Sequence, residues 1–120
     1  MKRINSEDVP KAGPYSHAVE AGKLIFLSGQ IPPDDVKNAE FEEKVEKTLK
    51  NVGKILASAG ADFSQVVKVT VYLRDVSKFG RFNEIYRQYF PHEPARSVVE
   101  VSALPKDAEL MIEVIALKED

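Results

Sequence analysis

The stretch PARSVVEVSALPKDAELMIEVIA, residues 94–116, holds two β-strand patterns separated by Leu104-Pro105-Lys106-Asp107. In the first, Arg96, Val98, Glu100 and Ser102 alternate with Val99, Val101 and Ala103. In the second, Leu110, Ile112, Val114 and Ala116 alternate with Glu109, Met111, Glu113 and Ile115. Alternation with a period of two marks strands with one apolar face. Arg96 then shares its face with Val98, and Met111 occupies the corresponding face of the next strand.

Upstream, QVVKVTVYLR (65–74) alternates in the same way, with Val67, Val69, Val71 and Leu73 on one side and Lys68, Thr70, Tyr72 and Arg74 on the other. YSHAVEAGKLIFLSG (15–29) predicts two strands turning at Ala21-Gly22. Its second strand, Leu24 to Ser28, is apolar at nearly every position, which predicts that both faces are covered. A short strand from Lys2 to Asn5 precedes these.

Two amphipathic helices separate the strands. Phe41, Val45, Leu49, Val52, Leu56 and Ala59 recur at three- and four-residue spacings, predicting a helix over 39–59 capped by Asn38 and closed by Gly60. Gly53 inside it costs about 1 kcal/mol against alanine and implies a close neighbour. A second helix over 77–90, capped by Ser77 and stopped by Pro91, buries Phe79, Phe82, Ile85 or Tyr86, and Tyr89 or Phe90.

The order strand, strand, helix, strand, helix, strand, strand predicts an α+β fold: one mixed six-stranded sheet with two helices on one face. The 120 residues suit a single domain, 1–120. The other sheet face would carry Lys68, Thr70, Tyr72, Arg96, Val98, Glu100, Ser102, Met111 and Glu113. That surface is too apolar to lie bare and too charged for a core, so it predicts contact with further copies of the chain.

Composition narrows the chemistry. There is no cysteine, which excludes disulfides, thiol catalysis and a cysteine metal site. Two histidines, His17 and His92, are too few and too separate for a zinc cluster. A net charge of −2 offers nucleic acid no basic field. No run approaches the roughly 20 apolar residues that cross a bilayer, and the N-terminal MKRINSEDVP lacks a signal-peptide core. The expected location is therefore cytoplasmic, without membrane attachment.

AGPYSHAV (12–19), LSGQIP (27–32), VVKVTVYLRDVSKFGRFNEIY (66–86) and the opening stretch together resemble the RidA/YjgF family, also labelled L-PSP endoribonucleases or translation inhibitors. The resemblance covers most of the chain in order. It implies a chorismate mutase-like fold and a homotrimer whose sheets form a central barrel, with ligand clefts at subunit interfaces. It implies cofactor-free hydrolysis of reactive 2-imino or 2-enamino acids to 2-keto acids and ammonia.

By the same resemblance, Arg96 anchors the substrate carboxylate, and the Val98 carbonyl holds the imine nitrogen where many relatives carry cysteine. Tyr15 supplies an aromatic wall and hydroxyl. Ser28 and Gly29 supply hydroxyl and backbone donors, and Asn83 shapes the same cleft. A guanidinium suits a carboxylate because it offers two parallel donors and stays charged.

One position departs from the family pattern. Deaminating members activate water with a glutamate four residues after the aspartate of LPKD; here that position is Met111, which takes no proton. Glu109 and Glu113 share its face in a regular strand, each about 7 Å away along it. Two further readings follow: a non-catalytic protein that binds a small 2-keto acid, and, ranked lower, an endoribonuclease or translation inhibitor. The isolated His17 reads as a satisfied strand residue.

Overall fold

The computed structural model describes residues 1–119. Eight elements follow one another: β1 (Lys2–Ile4), β2 (Ala18–Ala21), β3 (Leu24–Leu27), α1 (Phe41–Ser58), β4 (Val66–Leu73), α2 (Phe79–Tyr89), β5 (Ala95–Glu100) and β6 (Leu110–Leu117). The strands form one sheet in the order β1-β2-β3-β6-β4-β5. This is the expected mixed six-stranded α+β architecture.

The order inside the sheet explains the chemistry better than the order along the chain. β5 and β6 flank the Pro105 turn but are not neighbours, because β4 lies between them. β5 runs parallel to β4, reached through the α2 crossover, and β6 is antiparallel to β4. β5 is therefore an edge strand.

The core forms where the helices cover the sheet. Val45, Leu49, Val52, Ile55 and Leu56 of α1 and Phe82, Ile85 and Tyr86 of α2 meet Ile25, Leu27, Val69, Val71, Leu73, Leu110, Ile112 and Val114. The helical spacing thus located the buried stripe of α1 correctly. On α2, Phe79 departs from the expected burial: it is 37% exposed and sits at the helix entrance beside β5.

The structure corrects several local expectations. Tyr15 to His17 form a bend before β2 rather than its first turn of strand. Asn38 does not cap α1; Glu40 is the N-cap residue and makes no side-chain cap bond. Asp75, not Ser77, accepts the capping bond at the short 3-10 turn ahead of α2, from the Ser77 N–H.

In β4 a register irregularity between Val66 and Lys68 turns Val67 outward and buries Val66, while Val69, Val71 and Leu73 keep the expected side. Strict alternation cannot register an extra residue.

The two sheet faces also sort differently from expectation. Parallel pairing aligns Arg96 with Val69 and Val98 with Val71, which puts Arg96 and Val98 on the helix side. Val99, paired with Tyr72, lies on the open face with Met111 and Glu113. Leu24, Phe26, Val99 and Leu117 are exposed there. The apolar run of β3 therefore has only one face covered by its own chain.

Gly53 has the close neighbour its position implied. A Cβ built there would lie 2.9 Å from Cε2 of Phe63. Edge-on contacts with Tyr89 and Phe90 hold that ring, so it has little room to withdraw. The helix-propensity gain of about 1 kcal/mol for alanine competes with an overpacking cost of about 1–3 kcal/mol. Gly53→Ala is expected to lose roughly 1 kcal/mol net in urea denaturation, although it replaces a poor helix former with the best one.

Candidate functional site

The six residues singled out for ligand contact fall into two groups on the chain. Arg96, Asn83 and Val98 gather where β5 meets α2. Tyr15, Ser28 and Gly29 gather with Met111 around a separate cleft that takes no residue from β5 or α2.

Arg96 projects from the edge strand over α2. Its Nη1 donates to Oδ1 of Asn83 at 2.8 Å. Its guanidinium carbon lies 4.6 Å from the centre of the Tyr86 ring and 5.4 Å from that of Phe79. Among the described residues it forms no ion pair, whereas Arg74 and Arg81 pair with Asp107 and Glu42. Glu100, the acidic residue next on the strand, accepts instead from the Val76 N–H.

A cation held by a neutral amide and two aromatic faces keeps its charge and most of its donors for another molecule. Shallow hollows open beside it, one against Phe90, Glu93 and Pro94, the other against Val76, Phe79 and Val98.

Tyr86 was not foreseen in this role. Its position on α2 marked it only as core, and the ring does pack on Phe82 and Phe90. Its hydroxyl is buried without a hydrogen-bond partner among the described residues. Burial pushes the phenol pKa up, and the nearby Arg96 charge pulls it partly back.

The second group lines a cleft of ≈ 310 Å³. Tyr15 curls back so that its Oη accepts from the Ala12 N–H at 3.2 Å, leaving its own proton free to donate. Gly13 lies close beneath it: a Cβ there would sit 3.3 Å from the ring. Ser28 Oγ donates to the Ser16 carbonyl at 2.7 Å, so it faces the cleft as an acceptor rather than as the expected donor.

The Gly29 N–H makes no hydrogen bond among the described residues and remains a donor. A side chain at Gly29 would require Met111 to shift, since its Sδ would lie 2.5 Å from the added Cβ.

Neither carboxylate near Met111 is a free base. Glu109 does not share its face: it turns under the helices and accepts from Lys44 and Lys78, each at 2.7 Å. Those two hydrogen bonds hold its carboxyl below the usual range. Glu113 stays on the Met111 face but accepts from the Tyr72 hydroxyl, and this contact raises the Tyr72 pKa.

His17 is buried just ahead of β2; its Nδ1 accepts from the Ser6 N–H at 2.9 Å, so its ring is satisfied as expected. Among the described residues, no helix is long and apolar enough to cross a membrane. No group of three or more His, Asp and Glu side chains there could hold a metal ion.

This α+β fold sets an arginine without an ion pair among the described residues on one flank and a tyrosine–glycine cleft on the other. The chain belongs to the RidA/YjgF family: the family model described as Endoribonuclease L-PSP matches residues 6–118. It is 45% identical to a RutC family protein of Pyrococcus abyssi, covering 97% of this chain and 96% of that one. It is 43% identical to the human 2-iminobutanoate/2-iminopropanoate deaminase, covering 96% and 88%. The structure of Escherichia coli TdcF with bound serine matches with a TM-score of 0.91 and 36% identity, over 99% of this chain and all of that one (100%).

The Glu109 linkage has a defined sign. Its carboxyl pKa is lower in the folded chain than the ordinary 4.5, so its contribution is present above about pH 4.5 and is lost as pH falls through the folded value. The side chain is 30% exposed, which limits the contribution to about 1 kcal/mol or less. Glu109→Gln is expected to unfold at lower denaturant concentration than wild type at pH 7, with the difference closing toward pH 3.

Proposed function

We propose that this protein hydrolyses reactive 2-imino or 2-enamino acids to 2-keto acids and ammonia at a site shared between copies of the chain. The observation that carries the reading is the Arg96 guanidinium, held by Asn83, Tyr86 and Phe79 and lacking a carboxylate partner among the described residues. It offers a bidentate grip for a substrate carboxylate.

The opposite group would come from a neighbouring copy, so that Tyr15, Ser28 and Gly29 face Arg96 across the seam. A homotrimer with its sheets turned inward supplies such seams. It also covers Leu24, Phe26, Val99 and Leu117, which a lone chain leaves exposed.

In the reaction, water adds to the carbon of the C=N bond. The nitrogen collects protons and leaves as ammonia, and the carbon retains the oxygen as a ketone. Arg96 binds the carboxylate, and the Val98 carbonyl accepts from the imine N–H. Tyr15 is placed to pass a proton, and Asn83 fixes the guanidinium plane. Nothing in this scheme requires a cofactor.

Met111 leaves the water without a carboxylate base at that position. Losing a general base typically costs about 10²- to 10⁴-fold, so the scheme is slower than one with glutamate there. The same residue favours a second reading, in which the site holds a small 2-keto acid with little turnover. The ribonuclease activity in the family's description stands lower, because a chain of net charge −2 offers RNA phosphates little collective attraction.

A semicarbazide trap fed by threonine dehydratase tests the proposal. Wild type is expected to divert the imine from the trap, and Arg96→Ala to lose about 10- to 100-fold in kcat/KM, the effect of a charged hydrogen bond worth roughly 1.5–3 kcal/mol. Met111→Glu is expected to raise the rate. Failure of wild type to compete with the trap, with a keto acid still bound, leaves the binding reading.

The shared site makes a separate prediction. Arg96→Ala and Tyr15→Ala chains, each impaired alone, are expected to regain part of the wild-type rate when refolded together. Mixed assemblies bring one intact arginine to one intact tyrosine. No recovery on mixing would place the whole site within one copy.

A further inference from the structure

The Tyr15–Gly29–Met111 cleft continues past the residues the proposed reaction uses. Its walls are the N-terminal segment at Val9 and Pro10 and the loop at Ile31 and Pro33, and its floor is Asn51 of α1. Two properties of this extension point to a ligand.

First, its lining is mostly apolar; Lys106 pairs with Asp34, and Lys11, which keeps its charge, donates to Asn5 at an exposed position. Met111 also stands where a carboxylate would add a charge to the passage. Such a passage favours an apolar chain over a charged one.

Second, Asn51 sits in the buried face of α1 at 4% exposure, yet its side-chain amide has no hydrogen-bond partner among the described residues. Among the described residues Tyr86 Oη is the one fully buried side-chain polar atom without a partner, so the Asn51 amide atoms are not sealed off, and the cleft is where they reach one. The cavity of ≈ 310 Å³ equals about ten water volumes of roughly 30 Å³ each, more than a four-carbon acid needs.

We infer that this extension is a side-chain subsite. It selects 2-imino and 2-oxo acids whose side chain is elongated, apolar along its length and tipped by a hydrogen-bonding group that meets Asn51. The inference rests on the carboxylate being anchored as proposed above, with the acid's reacting carbon near Gly29. The chain then extends past Met111 toward α1, and Asn51 acts as a specificity-determining residue.

The experiment measures binding and turnover separately, on the intact protein. Calorimetry compares 2-oxobutanoate, 2-oxohexanoate and 6-hydroxy-2-oxohexanoate. Burial of about 0.8 kcal/mol per methylene corresponds to roughly fourfold each, so the six-carbon acid is expected to bind about 15-fold tighter than the four-carbon one. The terminal hydroxyl is expected to tighten binding further in wild type and not in Asn51→Leu, a substitution of similar volume. Pro10→Trp, at an exposed position on the wall of the extension, is expected to erase the chain-length gain and leave 2-oxobutanoate binding unchanged. Affinities that do not rise with chain length, or a hydroxyl that adds nothing, overturn the inference.

The trap assay is then run on the imines that an amino-acid oxidase makes from the matching amino acids. Acceleration with no chain-length preference in binding removes the subsite and leaves the deaminase reading. A rising affinity series without acceleration does the reverse. Absence of both removes both.

Discussion

The functional reading depends on how an edge strand presents one cation. β5 pairs with β4 on one side only, and parallel register sets Arg96 beside Val69, facing α2. An arginine so placed could have been neutralised by a helix carboxylate. Instead α2 offers an amide and two rings at that point. These groups orient the guanidinium without discharging it. The parallel crossover through α2 is therefore also what makes the cation available.

Opposite demands act on the two helices. α1 carries the larger apolar stripe and closes the centre of the sheet, with Thr48 Oγ1 returned to the Lys44 carbonyl. α2 is shorter and gives up part of its packing surface: Phe79 is partly exposed, and the Tyr86 hydroxyl has no partner among the described residues. Stability is concentrated under α1, and the irregular chemistry lies under α2 and in the loops around Tyr15 and Gly29. Glu109 joins the two regions by holding a lysine near the start of each helix.

Much of this was legible in the residues. The 3.6-residue period located α1, the period of two located β4 and β6, and the motifs brought Arg96 and Tyr15 to attention before any geometry. What failed shares one cause: a repeat pattern reports which residues alternate, not where they face or what intervenes. Nothing local reveals that β4 enters between β5 and β6, so the face of Arg96 was misassigned. The irregularity at Val67 shifts a register by one place, which no alternation count detects. Asn51 went unnoticed because a single asparagine inside an apolar period reads as noise, and Tyr86 because a core tyrosine and one stacked on a cation look alike in one dimension.

The turn before β6 places Lys106 and Asp107 in consecutive left-handed conformations, at φ of 57° and 55°. That backbone swings the Lys106 ammonium toward Asp34, 3.6 Å away, at the rim of the cleft. Both side chains are largely exposed. Dissolved ions shield such a pair within a Debye length of about 8 Å at physiological salt. The floor around Asn51 lies in the packed interior, beyond the reach of that shielding. Brine would loosen the doorway of this molecule while its back wall keeps its shape.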